Sequence, residues 1–168
     1  MNYRLTSGPS PISSVCGESS FVAEVLNWPP EVPAIACVSV TETGAEKLVS
    51  LTRRTAMDLA GQTRDFDPAL VRHVYDLHML RDHVDRGTVI ALARDIAKVD
   101  AIEFRSQYPA YHADIAGETF KALDALRTGP VHRERYDRFV AAMVYGERVE
   151  FDEAMGTVAE LVGDAWQA

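Results

Sequence analysis

Lys47 and Asp76 are the residues of this chain whose types and placement most readily suggest chemistry. The stretch GAEKLVSLTRRTAMDL, residues 44–59, places Ala45, Leu48, Val49, Thr52, Ala56 and Leu59 near a 3.6-residue period, one buried stripe of a helix over about 43–60. Those bounds put Lys47 in the first turn, where a cation meets the positive end of the helix dipole, whereas Glu46 is the type that end prefers. The lysine therefore asks for a reason outside its own helix. In RHVYDLH, residues 72–78, Arg72 and Asp76 lie four apart on one helical face, a row that Met79 and His83 continue. They read either as a solvated ion pair contributing a few tenths of a kcal/mol, or as a catalytic position for Asp76. In the second reading Lys47 faces Asp76 from the preceding helix, since the short connection favours antiparallel packing.

Other candidate groups have plainer explanations. His73, His78 and His83 are spaced by five residues, which turns consecutive side chains about 140° apart and spoils a shared metal face. His112 and His132 are isolated and read as surface or capping residues. Asp65-x-Asp67 has the formal spacing of a two-metal carboxylate pair, but it precedes Pro68 and opens a helix, so capping accounts for it. Arg133, Arg135 and Arg138 alternate with Glu134 and Asp137 and read as a salt-bridged face rather than a phosphate contact. Cys16 and Cys37 are too few for a disulfide framework and read as reduced packing residues. No nucleophilic triad, glycine-rich phosphate loop or metal-ligand set is legible.

The elements that must position these residues fall into two unequal parts. The chain has 168 residues, 47% hydrophobic, enough for one globular core; its formal net charge of -8 argues against a broad nucleic-acid surface. No apolar run approaches the ~20 residues of a membrane span, and the N-terminus carries no targeting pattern, so a cytoplasmic protein is expected. Five of eight prolines precede residue 42. There, SSFVAEVL (19–26) reads as a short helix capped by Ser19 or Ser20, or as a strand, with the sharp end at NWPP favouring the helix, and AIACVSV (34–40) reads as a buried strand that needs a sheet to join. YRLTS and PISSVC offer further strands. After residue 42 the pattern is helical. Asp67–Pro68 starts a second helix with Leu70, Val74 and Leu77 inward, Gly87 closes the next connection, and Thr88 caps a third helix. YPAYHADIAG (108–117) reads as a loop or broken turn. ETFKALDALRTGP forms a fourth helix, HRERYDRFVAAMVYG a fifth with Tyr136, Phe139, Val140 and Met143 inward, and FDEAMGTVAELVGDAW a sixth capped by Asp152. The expected fold is mainly α, a bundle of five or six helices over 43–168 with a small β-containing piece over 1–42.

Assembled, these stretches resemble the nucleotidyltransferase AbiEii/AbiGii toxin family. The resemblance rests on a V-S-x-x-E-T strand end, the E-K-L-x-x-L-x-x-R helix at 46–54 and R-H-x-Y-D-L at 72–77, and directly covers residues 19–83. It implies a toxin of a toxin–antitoxin or phage-defence system that uses magnesium and a nucleoside triphosphate to transfer a nucleotide to an RNA such as tRNA. It also implies Lys47 and Asp76 as catalytic residues, with Lys47, Arg54 and Arg72 toward the nucleotide; a lysine there would neutralise charge building on phosphate oxygens, aided by a helix N-terminus. The family's first motif, a Gly-Ser turn followed by paired carboxylates that hold the metal, has no counterpart: aspartate is absent before Asp58. The chain thus reads as the C-terminal part of such a protein, from a truncated gene or a misassigned start, inactive alone, with neither metal nor nucleotide held tightly. The alternative is a non-enzymatic helical module that binds an antitoxin or self-associates through an exposed strand edge.

Overall fold

The computed structural model describes residues 15–18, 21–29, 32–36, 38–62 and 67–167. The protein is mainly α, and the chain divides into two compact units, residues 1–40 and 41–168.

In the first unit, β1 (Val15–Glu18) and β2 (Val32–Ala36) pair antiparallel, with Val15 opposite Ala36, Cys16 opposite Ile35 and an irregularity before Glu18 meets Val32. Helix α1 (Phe21–Val25) lies between them in sequence. It stops at Asn27, whose φ of 53° is left-handed, a conformation that asparagine tolerates. The Trp28 amide closes this turn onto the Ala23 carbonyl at 2.8 Å. The strand expected over 34–40 is shorter than its apolar run, because Val40 already begins the next helix. YRLTS, Ser19, Ser20, Asp65 and Cys37 lie outside the described residues.

The second unit holds α2 (Val40–Leu59), α3 (Arg72–Leu80), α4 (Arg86–Glu103), α5 (Pro109–Ala113), α6 (Ile115–Thr128), α7 (Pro130–Met143) and α8 (Phe151–Trp166). Helix α8 is its centre and packs on α3, α4, α6 and α7. Phe151, Ala154, Met155, Val158, Leu161, Val162 and Ala165 are buried, so the apolar residues cover more than one narrow stripe. Helix α4 approaches closely because Val89, Ala93, Ala97 and Ala101 repeat every four residues and present little bulk. Tyr136 crosses Phe151 edge to face with ring centroids 5.3 Å apart, and its hydroxyl donates to the Val149 carbonyl at 3.0 Å. A second, smaller cluster joins Ala56, Ala101, Tyr108, Tyr111 and Ala122.

Several local expectations are corrected. Helix α2 begins at Val40, with Glu42 as the acidic residue of its first turn, so Lys47 sits two turns in and meets no exposed amide end. Asp67 caps as expected, accepting from the Ala69 amide at 2.9 Å, but first opens a 3-10 turn over Pro68–Val71. Helix α4 is capped by Asp85, which accepts from the Thr88 amide, so Gly87 and Thr88 are already helical. The segment expected as a loop contains α5, where Tyr108 and Tyr111 stack at 5.8 Å and are buried. Asp152 lies inside the first turn of α8 and pairs with Arg133 instead of capping. Leu59 and Met143 face solvent because each lies at the last turn of its helix, past the packed region. His132 is buried rather than at the surface.

Truncating the centre should show this hierarchy. Phe151→Ala is expected to cost about 3–5 kcal/mol in urea unfolding, whereas Met143→Ala should stay within about 0.5 kcal/mol.

Candidate functional site

Contacts between α2 and residues 67–80 follow an antiparallel order along a shared seam. Rising numbers on α2 meet falling ones across it: Lys47 contacts Asp76, and Arg54 contacts Asp67. Gly44 and Leu80 continue the series as two walls of a cavity of about 200 Å³. The sequence places Lys47 and Arg54 seven apart, hence on one face of α2, while Asp76 projects from the middle of α3.

Lys47 Nζ lies 2.6 Å from Asp76 Oδ2, and the two side chains are 24% and 30% exposed. The structure thus brings the ammonium and the carboxylate together in a half-buried contact. His73, three residues before Asp76 on the same helix, places Nδ1 3.8 Å from that same oxygen. At this separation the histidine acts through its field, not through a hydrogen bond. Burial disfavours the charged Asp76, but His73 and Lys47 together outweigh it and hold the carboxyl below its usual range. Arg72 is exposed and is not the partner of Asp76, because Lys47 and His73 occupy that carboxylate. Its charge acts instead on Asp67, whose carboxyl is held low by the Ala69 amide first and then by Arg54 and Arg72, against a smaller opposing effect of burial. Arg54 donates to Asp67 Oδ2 at 3.1 Å and remains about 40% exposed.

The arginines at the cavity rim are already paired. Arg86 reaches Glu160 at 2.9 Å and Asp164 at 2.6 Å, and Arg81 reaches Asp82 at 3.4 Å. Arg133 joins Asp152 and Phe151, while Arg138 joins Glu134, the salt-bridged face the sequence suggests. Among the described residues no group of three or more His, Cys, Asp or Glu side chains is placed to hold a metal ion. Asp76, the acid nearest the seam, is turned to an ammonium. Among the described residues the acids of this seam, Asp67 and Asp76, are each turned to a cation, and this donor set does not fit magnesium.

One ion pair is not apparent from sequence. Arg53 Nε meets Asp100 Oδ2 at 2.8 Å with both side chains about one-tenth exposed; the guanidinium lies 4.2 Å from the Phe104 ring centroid and reaches Met57 sulfur. Arg53 belongs to the buried residues of α2, with Val49 and Ala56 one turn to either side. An arginine in that position signals a partner, but nothing local identifies Asp100, forty-seven residues away. Burial pushes the Asp100 carboxyl up, and Arg53 pulls it back only part of the way.

The fold and seam define an α-helical lobe presenting a lysine–aspartate pair flanked by two arginines. The family described as Nucleotidyl transferase AbiEii toxin, Type IV TA system, matches residues 15–157, and the chain belongs to it. No curated protein and no solved structure matches the chain. No described helix is long and apolar enough to cross a membrane.

Removing either Arg53 or Asp100 alone should cost about 3–5 kcal/mol, since it strands a buried charge. The double variant Arg53→Met, Asp100→Leu should recover most of that loss in thermal unfolding. A second expectation concerns pH. His78, bonded to Thr157 at 2.9 Å, and His132 are both depressed, chiefly by burial and then by Arg81 and Arg135 respectively. The unfolded chain therefore binds more protons below pH ~6.5. Tm should fall as pH drops from about 7 through that window and level once both folded-state histidines are charged. His78→Asn should flatten part of this dependence.

Proposed function

We propose that this chain is the C-terminal part of a nucleotidyltransferase toxin that moves a nucleotide from a nucleoside triphosphate to an RNA acceptor such as tRNA. Residues 1–42 are the end of the nucleotidyltransferase core, and 43–168 the helical C-terminal domain. The observation that carries this reading is the half-buried Lys47–Asp76 contact on a seam that also bears Arg54 and Arg72, in a chain of this family. Lys47 has one carboxylate for a partner and keeps about one-quarter of its surface exposed. A polyphosphate carries more negative charge than one carboxylate and can compete for it. Arg54 and Arg72 extend the same positive edge, one along α2 and the other at the start of α3. Asp76 then orients Lys47 while the phosphates bind.

Magnesium and the nucleotide enter by family membership. The carboxylates for the metal are not among these residues, and the chain alone is inactive and holds neither group tightly. Membership of a type IV toxin–antitoxin family implies a cognate antitoxin.

The experiment is a ¹H–¹⁵N titration with each of the four nucleoside triphosphates at millimolar concentration, which detects weak contacts. Shifts should centre on Lys47, Arg54 and Arg72 and should be at least tenfold weaker in affinity in Lys47→Met, equivalent to about 1.4 kcal/mol. No response along this seam with any nucleotide would defeat the assignment of these residues. Label transfer to tRNA by this chain alone would overturn its proposed inactivity.

A further inference from the structure

The Lys47–Asp76 pair has a third member whose contacts are incomplete. His73 Nδ1 is sealed from solvent and has no hydrogen-bond partner among the described residues. A buried ring nitrogen left unpaired is disfavoured, and such atoms call for an explanation. Its nearest recorded charged atom is Asp76 Oδ2, at 3.8 Å, the same oxygen that Lys47 Nζ holds at 2.6 Å. Two nitrogens thus converge on one carboxylate oxygen, and only that of Lys47 is within bonding range.

The two nitrogens are attached differently. His73 and Asp76 share α3 at a spacing of three residues, so one helical turn fixes their proximity whatever α2 does. Lys47 arrives from α2 on a flexible four-carbon stem. The histidine is about 0.6 Å beyond the ~3.2 Å limit of an N–H···O bond, a gap that a small rotation of the Asp76 carboxylate closes. While the ammonium holds Oδ2 at 2.6 Å, the carboxylate stays turned toward Lys47.

We propose that His73 is a positioning residue, the standby partner that hydrogen-bonds Asp76 when Lys47 leaves it for an anionic polyphosphate. The inference rests on the reading of Lys47 given above for its physiological trigger. Without a standby, moving Lys47 to a phosphate would leave a half-buried carboxylate unpaired, and that penalty would oppose binding. With His73 in place, the vacancy is filled from the same helix. The Nδ1 of His73 must carry its hydrogen in this state, which fixes the ring tautomer.

The tautomer is the quantity to measure, by long-range ¹H–¹⁵N correlation on the imidazole of His73. Lys47→Met and Lys47→Leu both remove the ammonium and leave no donor in its place, so the standby state should form without ligand: His73 moves to predominantly Nδ1–H, with the downfield proton shift of a bond to carboxylate. A His73 ring unchanged in whichever of these variants folds overturns the inference. Inorganic tripolyphosphate added to the unsubstituted chain should produce the same signature. If the variants respond and tripolyphosphate moves neither Lys47 nor His73, the nucleotide reading of Lys47 fails while the standby role of His73 stands. A purely structural histidine would keep its tautomer in every arm.

Discussion

Helix α2 carries three cations against its neighbours, and each is matched by an acid where the helix docks. Lys47 meets Asp76 on α3, Arg53 meets Asp100 on α4, and Arg54 meets Asp67 at the turn that starts α3. Leu48, Val49 and Leu51 enter the core between these pairs. Burial of that stripe sets which face of α2 turns inward, and the ion pairs add direction to its register against its neighbours. A helical slip of one residue would turn the helix by about 100° and separate every pair.

The pairs differ in how firmly their members are committed. Arg53 and Asp100 are each about one-tenth exposed, and the guanidinium is further held by Phe104 and Met57. Water cannot enter to compensate a broken contact there, so this pair is locked. Lys47 and Asp76 keep access to solvent, and Arg54 and Asp67 keep more. Exchange of partner is therefore possible along the α2–α3 seam and not across α2–α4. This gradient separates the more exposed ion pairs of α2 from the one committed to the interior.

Much of this arrangement is legible from local signals. The core stripes of α2, α3 and α8 follow from periodicity, and Asp67–Pro68 marks a start because capping and a fixed φ act over two residues. The facing of Lys47 toward Asp76 is readable because two helices with a short connection have few ways to pack. What misleads is the start of α2. The run AIACVSV mixes small and β-branched residues and is almost wholly apolar, and the boundary between strand and helix inside it leaves no mark in periodicity. With the start placed at Val40, Lys47 is no longer at the dipole's positive end, and the argument that it burdens its own helix falls away. Helix α5 escapes a local reading because Pro109 signals both a break and a first helical position. Arg53–Asp100 and the buried His132 depend on tertiary neighbours that no local window contains.

The correction to α2 changes what the lysine is for. Had Lys47 stood at the helix terminus, the amide dipole would have shared the task of holding an anion, and the side chain alone would have been dispensable in part. Two turns inside the helix, all amides around it are bonded to carbonyls, and attraction for an anion comes from side chains alone. The local positive field is then Lys47, Arg54, Arg72 and whatever charge His73 carries, set against Asp67 and Asp76. Cations outnumber acids at this seam in a chain of net charge -8. On the proposed reading, such a local excess would focus an anion onto one edge of an otherwise repelling molecule, and the acids that temper it would keep the lysine oriented until that anion arrives.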